Sequence, residues 1–94
     1  MDTREAEVLI HDFVARLRHQ SYGDLVARYL DKTEHRSIRG PSGADYQIEV
    51  QALWDDRQPG NMRVIVAIDD GGWSAIKPMS TDFIIAPDGS FVGE

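Results

Sequence analysis

The sequence contains no cysteine, which excludes disulfide bonds, cysteine-ligated zinc sites and thiol catalysis. It also has no long apolar run, because its longest strongly apolar stretch, VIVAI at residues 64–68, is far too short to cross a bilayer. The first residues, MDTREAEVLI, are acidic where a signal peptide is basic. We therefore expect a cytoplasmic protein with no membrane segment.

Basic residues are scarce, since 10 lysines and arginines stand against 16 aspartates and glutamates and leave a net charge of −6. Proteins that bind nucleic acid or an anionic membrane usually present a basic surface, so both partners are disfavoured. A hydrophobic content of 41% and a charged content of 28% are typical of a folded globular protein. The chain length predicts a single domain over residues 1–94.

No pattern of a known catalytic centre is present in the sequence. The three histidines, His11, His19 and His35, do not have the HExxH spacing of a zinc site. No serine lies in a GxSxG pattern, and neither a P-loop nor a GxGxxG stretch occurs. We therefore predict a protein that is not an enzyme and that has no cofactor.

Two amphipathic helices are predicted in the N-terminal third of the chain. Apolar residues recur at helical spacing over about residues 3–19, behind Asp2 and Glu5, which have the spacing of a capping box. A shorter helix is predicted over residues 22–30, after the N-cap residue Ser21. One apolar stripe on each helix requires a second layer to cover it.

Strand periodicity begins after the helices. In residues 46–54, apolar residues at even positions alternate with mostly polar ones, and Met62, Val64, Val66 and Ile68 continue the same two-residue period, which is that of a strand. The turn-forming stretch between them predicts an antiparallel pair. A register that sets Val50 opposite Val66 puts both apolar rows on one face.

The stretch DDGG at residues 69–72 predicts a type I′ turn rather than a ligand-binding loop. The chain would then fold straight back on the strand before it. This hairpin sets Ile68 opposite Trp73 and Val66 opposite Ala75. Positive φ angles would explain the glycines, and cross-strand packing would explain the tryptophan.

The element order predicts an α+β fold. A further strand is expected at 80–86 and a last short one at Phe91 and Val92. The polar residues 31–45 are expected to form a loop that leaves room for a short edge strand at 36–39. The predicted architecture is a two-layer sandwich, with two N-terminal helices on one face of a four- to five-stranded antiparallel meander over residues 46–92.

Four aspartates are weak candidates for a metal site. If the strands pair as predicted, Asp45, Asp69, Asp70 and Asp88 approach one end of the sheet, and their oxygens would suit Ca²⁺ or Mg²⁺. Turns are the commonest place for aspartate, however, and the spacing is not that of an EF-hand. No metal is therefore assigned.

The only basic concentration in the chain is a candidate anion site. It contains Lys32, His35, Arg36 and Arg39, followed by GPSG at residues 40–43. Arginine side chains and glycine-rich backbone can bind a phosphate or a carboxylate, which makes Arg36 and Arg39 the candidates. The alternative is a solvated loop in which these charges offset neighbouring acids.

The second face of the predicted sheet carries more aliphatic residues than a solvated face should. Such a surface is typical of one that contacts another protein. The alternative is partial cover by residues 31–45 or by the C-terminal segment. The aliphatic residues expected on this face are Leu53, Ile65, Ala67, Ile76 and Ile84.

The C-terminal half resembles a known family. YQIEVQALWDD, VIVAIDDGGW and DFIIAPDGSFVGE, within residues 45–94, are similar to a family of small bacterial proteins described only as a domain of unknown function. The resemblance implies a compact bacterial α+β domain and brings no catalytic or binding residues with it. Helices followed by a meander are also similar to cystatin-like and NTF2-like folds and to some toxin-immunity proteins.

Two functions follow from these patterns. The first is a non-enzymatic protein-interaction module that binds itself or another protein through the outer sheet face, in an immunity-type or regulatory role. The alternative is a small-ligand-binding domain with a cleft between helices and sheet, near Trp54, Trp73, Tyr22 and Tyr29.

Overall fold

A computed structural model describes residues 1–72 and 78–94 and shows two helices followed by a four-stranded antiparallel sheet. The strands lie in the order β1-β2-β3-β4, and each neighbouring pair is antiparallel. The predicted α+β two-layer fold is therefore confirmed. The elements are α1 (Thr3–Leu17), α2 (Tyr22–Tyr29), β1 (Thr33–Arg39), β2 (Asp45–Trp54), β3 (Met62–Asp69) and β4 (Met79–Ile85).

Both helices begin where their capping residues predict. The Asp2 carboxylate accepts a hydrogen bond from the backbone N–H of Glu5, and the Ser21 hydroxyl accepts one from the N–H of Asp24. Each bond satisfies a donor that has no partner inside its helix, which favours a start at that residue. Within the described part of the chain, no helix is long and apolar enough to span a bilayer.

The core lies between the helices and the inner face of the sheet. Val50 lies opposite Val66, as predicted, and both are no more than 1% exposed. A slip of one residue would turn each apolar row outward, so burial of these side chains determines the register. The helices contribute Ala6, Ile10, Leu17, Leu25 and Tyr29 to the same core.

The loop predicted over residues 31–45 is wrong for most of its length, because β1 occupies Thr33–Arg39; the short edge strand expected at 36–39 is confirmed and is longer than predicted. This strand pairs with β2 along its whole length. Ile38 is the only aliphatic residue of β1. An edge strand is held by backbone hydrogen bonds, so it can expose most of its side chains and needs few apolar ones. The actual connection to β2 is the short turn at 40–44.

The hairpin predicted around DDGG is also wrong. β2 pairs with one side of β3, and β4 pairs with the other. Val66 lies opposite Thr81 and Ile68 lies opposite Met79 on the β4 side. Val66 and Ile68 are therefore paired on both sides by β2 and β4. The partners predicted for them, Ala75 and Trp73, lie outside the described residues.

The DDGG stretch is nevertheless a turn. The Asp69 carboxylate accepts from the N–H of Gly71 at 2.8 Å, and the Asp70 carboxylate accepts from the N–H of Gly72 at 3.1 Å. Gly71 has a φ of +83°, in the left-handed region that favours glycine. Asp70 does not have a positive φ, so the turn is not of type I′.

The C-terminal strand predicted at Phe91 is reduced to one isolated bridge with Ile85. The N–H of Val92 donates to the carbonyl of Ile84 at 2.9 Å, which fixes the segment beside β4. The Phe91 ring packs against the core, and its centre lies 3.9 Å from the guanidinium carbon of Arg18. The last residues are therefore attached to the helix side of the sheet.

Candidate functional site

The sheet face opposite the helices carries four aliphatic residues at neighbouring positions. Arg63 lies opposite Leu53 on β2 and opposite Ile84 on β4. Ile65, two residues further along β3, is diagonal to both, within reach of contact for large side chains. Ala67 continues the same row. We call Leu53, Ile65, Ala67 and Ile84 the outer patch.

The outer patch is accessible to solvent. Leu53 is 42% exposed, and the other three members are partly exposed. In the described residues, neither predicted cover lies over the patch, because the turn at 40–44 contacts Glu5 of α1 and Phe91 packs on the helix side. Ile76, the fifth residue predicted for this face, lies outside the described residues.

The charge nearest the centre of the outer patch is paired. The Arg63 Nε and Nη2 atoms donate to Asp55 Oδ1 at 3.0 and 2.8 Å, and Nη1 donates to Asp82. The hydrogen bonds to Asp82 and Asp55 raise the pKa of Arg63. A protein laid on the patch would therefore cover an ion-paired group, which costs less than covering a lone charge.

The four candidate metal-binding aspartates do not converge. Asp69 ends β3, whereas Asp88 follows the end of β4 at Ile85, which lies opposite Met62 at the start of β3. β3 has eight residues. At about 3.3 Å per residue, the two ends of the sheet are roughly 23 Å apart.

The remaining aspartates have their own partners. Asp45 accepts from Arg39 at 3.0 Å, and Asp70 lies 3.3 Å from the amino group of Met1. Within the described residues, no group of three or more histidines, aspartates or glutamates is placed to hold a metal ion. The structure therefore provides no geometry for the predicted cluster.

The two candidate anion-binding arginines line a cleft between α1 and β1, with a volume of about 240 Å³. The structure adds Arg16 of α1, a third guanidinium that the sequence analysis missed. Only the approach of α1 to β1 brings it close, so no local pattern marks it. We call this site the α1–β1 cleft; its lining is Leu9, Asp12, Phe13, Arg16, Arg36, Ile38 and Arg39.

The three arginines are unequally paired. Arg36 Nη2 lies 3.0 Å from Glu34 Oε1, but Arg28 donates to both oxygens of that carboxylate. The hydrogen bond from Arg28 is the main reason that the pKa of Glu34 is lowered. Arg39 has only the exposed ion pair described above. The Arg16 side chain has no hydrogen bond or ion pair in the described part of the chain.

The aromatic residues predicted around a ligand cleft are largely engaged in packing. Tyr29 is 1% exposed and belongs to the core, and the Tyr22 hydroxyl donates to the carbonyl of Gly60 at 2.7 Å. Trp54 packs against the core, although its buried Nε1 atom has no hydrogen-bond partner among the described residues. Trp73 lies outside the described residues.

A polar cluster joins α1 to the turn before β2. The Glu5 carboxylate accepts from the N–H and the hydroxyl of Ser42 at 2.9 and 2.7 Å, and from the Tyr46 hydroxyl at 2.8 Å. The Ser42 hydroxyl is the main cause of the lowered pKa of Glu5, and Glu5 raises the pKa of Tyr46 to about 12. We call these residues the Glu5 cluster; the reciprocal capping bond predicted for the Glu5 side chain is replaced by it.

Two surfaces of the described residues have features that suit contact with another molecule. The outer patch provides apolar contact, and the α1–β1 cleft provides charge-assisted hydrogen bonds beside an apolar floor. Comparisons with protein-family models, with curated proteins and with solved structures each returned no match to this chain.

Proposed function

We propose that this protein is a non-enzymatic protein-interaction module whose outer patch binds a second copy of the chain. The supporting observation is the cluster of Leu53, Ile65 and Ile84 on a sheet face that is not covered by the described residues. A solvated face of an antiparallel sheet is normally polar, and aliphatic clusters on such faces mark contact surfaces. A cytoplasmic location, membership of the bacterial family and an immunity-type or regulatory role remain predictions.

The size of the face is compatible with a dimer. Four strands at about 4.8 Å spacing and roughly 23 Å length present about 440 Å² in projection, and the accessible area is larger. Two such faces stacked about 10 Å apart would approach the 1,200 Å² or so at which specific interfaces begin. A second copy of the chain would therefore bury an area close to that of a specific interface.

The charges on this face also favour a second copy. Arg63 is paired with Asp55 and Asp82, and Arg39 is paired with Asp45. Both signs are thus interspersed, so two copies related by a two-fold axis would not present surfaces of one sign to each other. Each copy still carries a net charge of −6, so added salt should strengthen association by screening.

The test is light scattering after size-exclusion chromatography, at several protein concentrations, for wild type and Ile65→Glu. Burial of one isoleucine side chain is worth about 1.5–3 kcal/mol. A two-fold dimer contains two, so the substitution should weaken association by roughly 10²- to 10⁴-fold. Ile65→Lys is a second disruptive variant, since it faces Asp82 and should leave the fold intact.

Val8→Glu is the matched control, because Val8 is 57% exposed on α1 and lies away from the outer patch. It should dimerise as the wild type does. A wild type that stays monomeric at high concentration would contradict self-association and leave the patch to a different protein. A dimer that persists in both Ile65 variants would show that another surface forms it.

A further inference from the structure

We infer that the α1–β1 cleft binds a small organic carboxylate, with the carboxylate on its arginines and the apolar body on its floor. This site is separate from the outer patch and does not depend on the proposed function. Arg16 reaches it from α1 and Arg36 from β1, while Arg39 borders it with its side chain paired to Asp45 on the other face of β1. The charge, the surface and the size of the cleft each support this assignment.

The lining concentrates positive charge in an acidic protein. It has Arg16 and Arg36 on the cleft side, Arg39 at its border and one acid, Asp12, in a chain whose net charge is −6. Arginine binds carboxylates through two parallel hydrogen bonds, which gives both energy and orientation. The Arg16 guanidinium has no partner in the described residues, so it can donate to a ligand without breaking an existing bond. Arg36 shares its only carboxylate with Arg28.

The floor of the cleft is apolar. Leu9, Phe13 and Ile38 pack against the core but remain partly exposed toward the cleft that they line. The guanidinium carbon of Arg36 lies 5.7 Å from the centre of the Phe13 ring, within the range of a cation–π contact. An aryl or alkyl body would cover this floor, whereas an inorganic anion would leave it in contact with water.

The volume limits the ligand to a small molecule. The cleft has a volume of about 240 Å³. Sites for drug-sized ligands begin at about 300 Å³, so a ligand of roughly ten non-hydrogen atoms is appropriate here. Asp12 can accept a hydrogen bond from a hydroxyl group on such a ligand.

The probe is benzoate, followed by ¹H–¹⁵N NMR of the backbone amides and arginine side chains of the folded protein. We expect saturable shifts at Phe13, Arg16 and Ile38. Arg16→Gln should weaken binding by about tenfold or more, because it removes a charge-assisted hydrogen-bond donor. Arg57→Gln is the matched control: it makes the same charge change in the turn between β2 and β3 and should leave the affinity unchanged.

The competing explanations give different results. If benzyl alcohol binds as tightly as benzoate, or if Arg57→Gln weakens benzoate binding as much as Arg16→Gln does, the role of the arginines is overturned. If inorganic phosphate binds as tightly as benzoate, the role of the apolar floor is overturned. If phenyl phosphate binds more tightly than benzoate, the recognised group is a phosphate and not a carboxylate. No shift at the lining residues at the highest soluble benzoate concentration would overturn the site itself. Arg16 is exposed, so its substitution should not unfold the protein.

Discussion

Replacing Gly40 with alanine should displace the carboxylate of Glu5. A Cβ atom on Gly40 would lie 2.5 Å from Glu5 Oε1 and 2.6 Å from the carboxyl carbon. Contacts shorter than 3.0 Å essentially do not occur, and ordinary contact begins at 3.4 Å. The carboxylate must therefore move by about 0.9 Å, the difference between 3.4 and 2.5 Å.

A movement of this size would break up the Glu5 cluster. The three hydrogen bonds to Glu5 measure 2.7, 2.8 and 2.9 Å, and a carboxylate displaced so far cannot keep them all within hydrogen-bond distance. The bond from Tyr46 to Glu5 is the main cause of the raised pKa of Tyr46. In Gly40→Ala this pKa should fall from about 12 toward 10.0, while the pKa of Glu5 rises toward 4.5.

The assay is a ¹³C NMR titration of the tyrosine Cζ atoms through the alkaline range. The chain has three tyrosines, and substitution of Tyr22 or Tyr29 by phenylalanine assigns the signals. Gly23→Ala is the matched control, because the nearest atom to its Cβ is Ser21 Oγ at 4.0 Å. It should leave the Tyr46 titration unchanged and stabilise α2 by about 0.8–1.0 kcal/mol, the helix preference of alanine over glycine.

An unchanged Tyr46 titration in a folded Gly40→Ala variant would refute this reasoning. A second check uses stability. In a Glu5→Ala background the clash is absent, so adding Gly40→Ala should destabilise the protein less than it does in the wild type. Equal destabilisation in both backgrounds would show that Gly40 and Glu5 are not coupled.

Two further predictions concern pH and the core. The pKa of Tyr46 is raised, so its contribution to stability should be complete below pH 10.0 and lost as pH rises through about 12, whereas the lowered pKa of Glu5 gives a contribution present above pH 4.5 and lost as pH falls. Urea unfolding at several pH values checks both. Glu34 and Asp88 also have lowered pKa values, so the acid dependence should become smaller in Glu5→Gln, and one equal to that of the wild type would contradict the prediction. Ile10→Ala should lower the free energy of unfolding by about 2–5 kcal/mol and Val8→Ala by no more than about 0.5, because these α1 residues are 2% and 57% exposed. Similar losses for the two variants in urea unfolding would contradict the core assignment.

The inner layer of this fold could be predicted because burial imposes a period on the sequence. Apolar residues recur at every second position around Val50 and Val66, and the register that sets these two opposite each other buries both rows. The helix starts were predictable for a local reason, since Asp2 and Ser21 each satisfy a backbone donor within the next three residues. Both signals are contained in short stretches of sequence.

The partner of β3 could not be predicted from the turn beside it. DDGG has the composition of a tight hairpin, but turn preference is local and small in energy. β4 offers Phe83 and Ile85, which are 4% and 1% exposed, to the same inner face. Pairing along β4 buries both side chains, and the free energy gained from this burial outweighs the preference of DDGG for a tight hairpin.

The error over β1 and the omission of Arg16 have the same physical cause. The polar residues 31–45 were expected to be mostly a loop, with room for only a short edge strand at 36–39. As an edge strand, β1 points alternate residues toward the helices, so Arg36 and Ile38 both reach the cleft beside α1. The same strand geometry places them opposite Arg16. The α1–β1 cleft therefore forms because backbone hydrogen bonds hold the polar strand β1 in the sheet. Side-chain patterns in the sequence do not reveal these backbone hydrogen bonds.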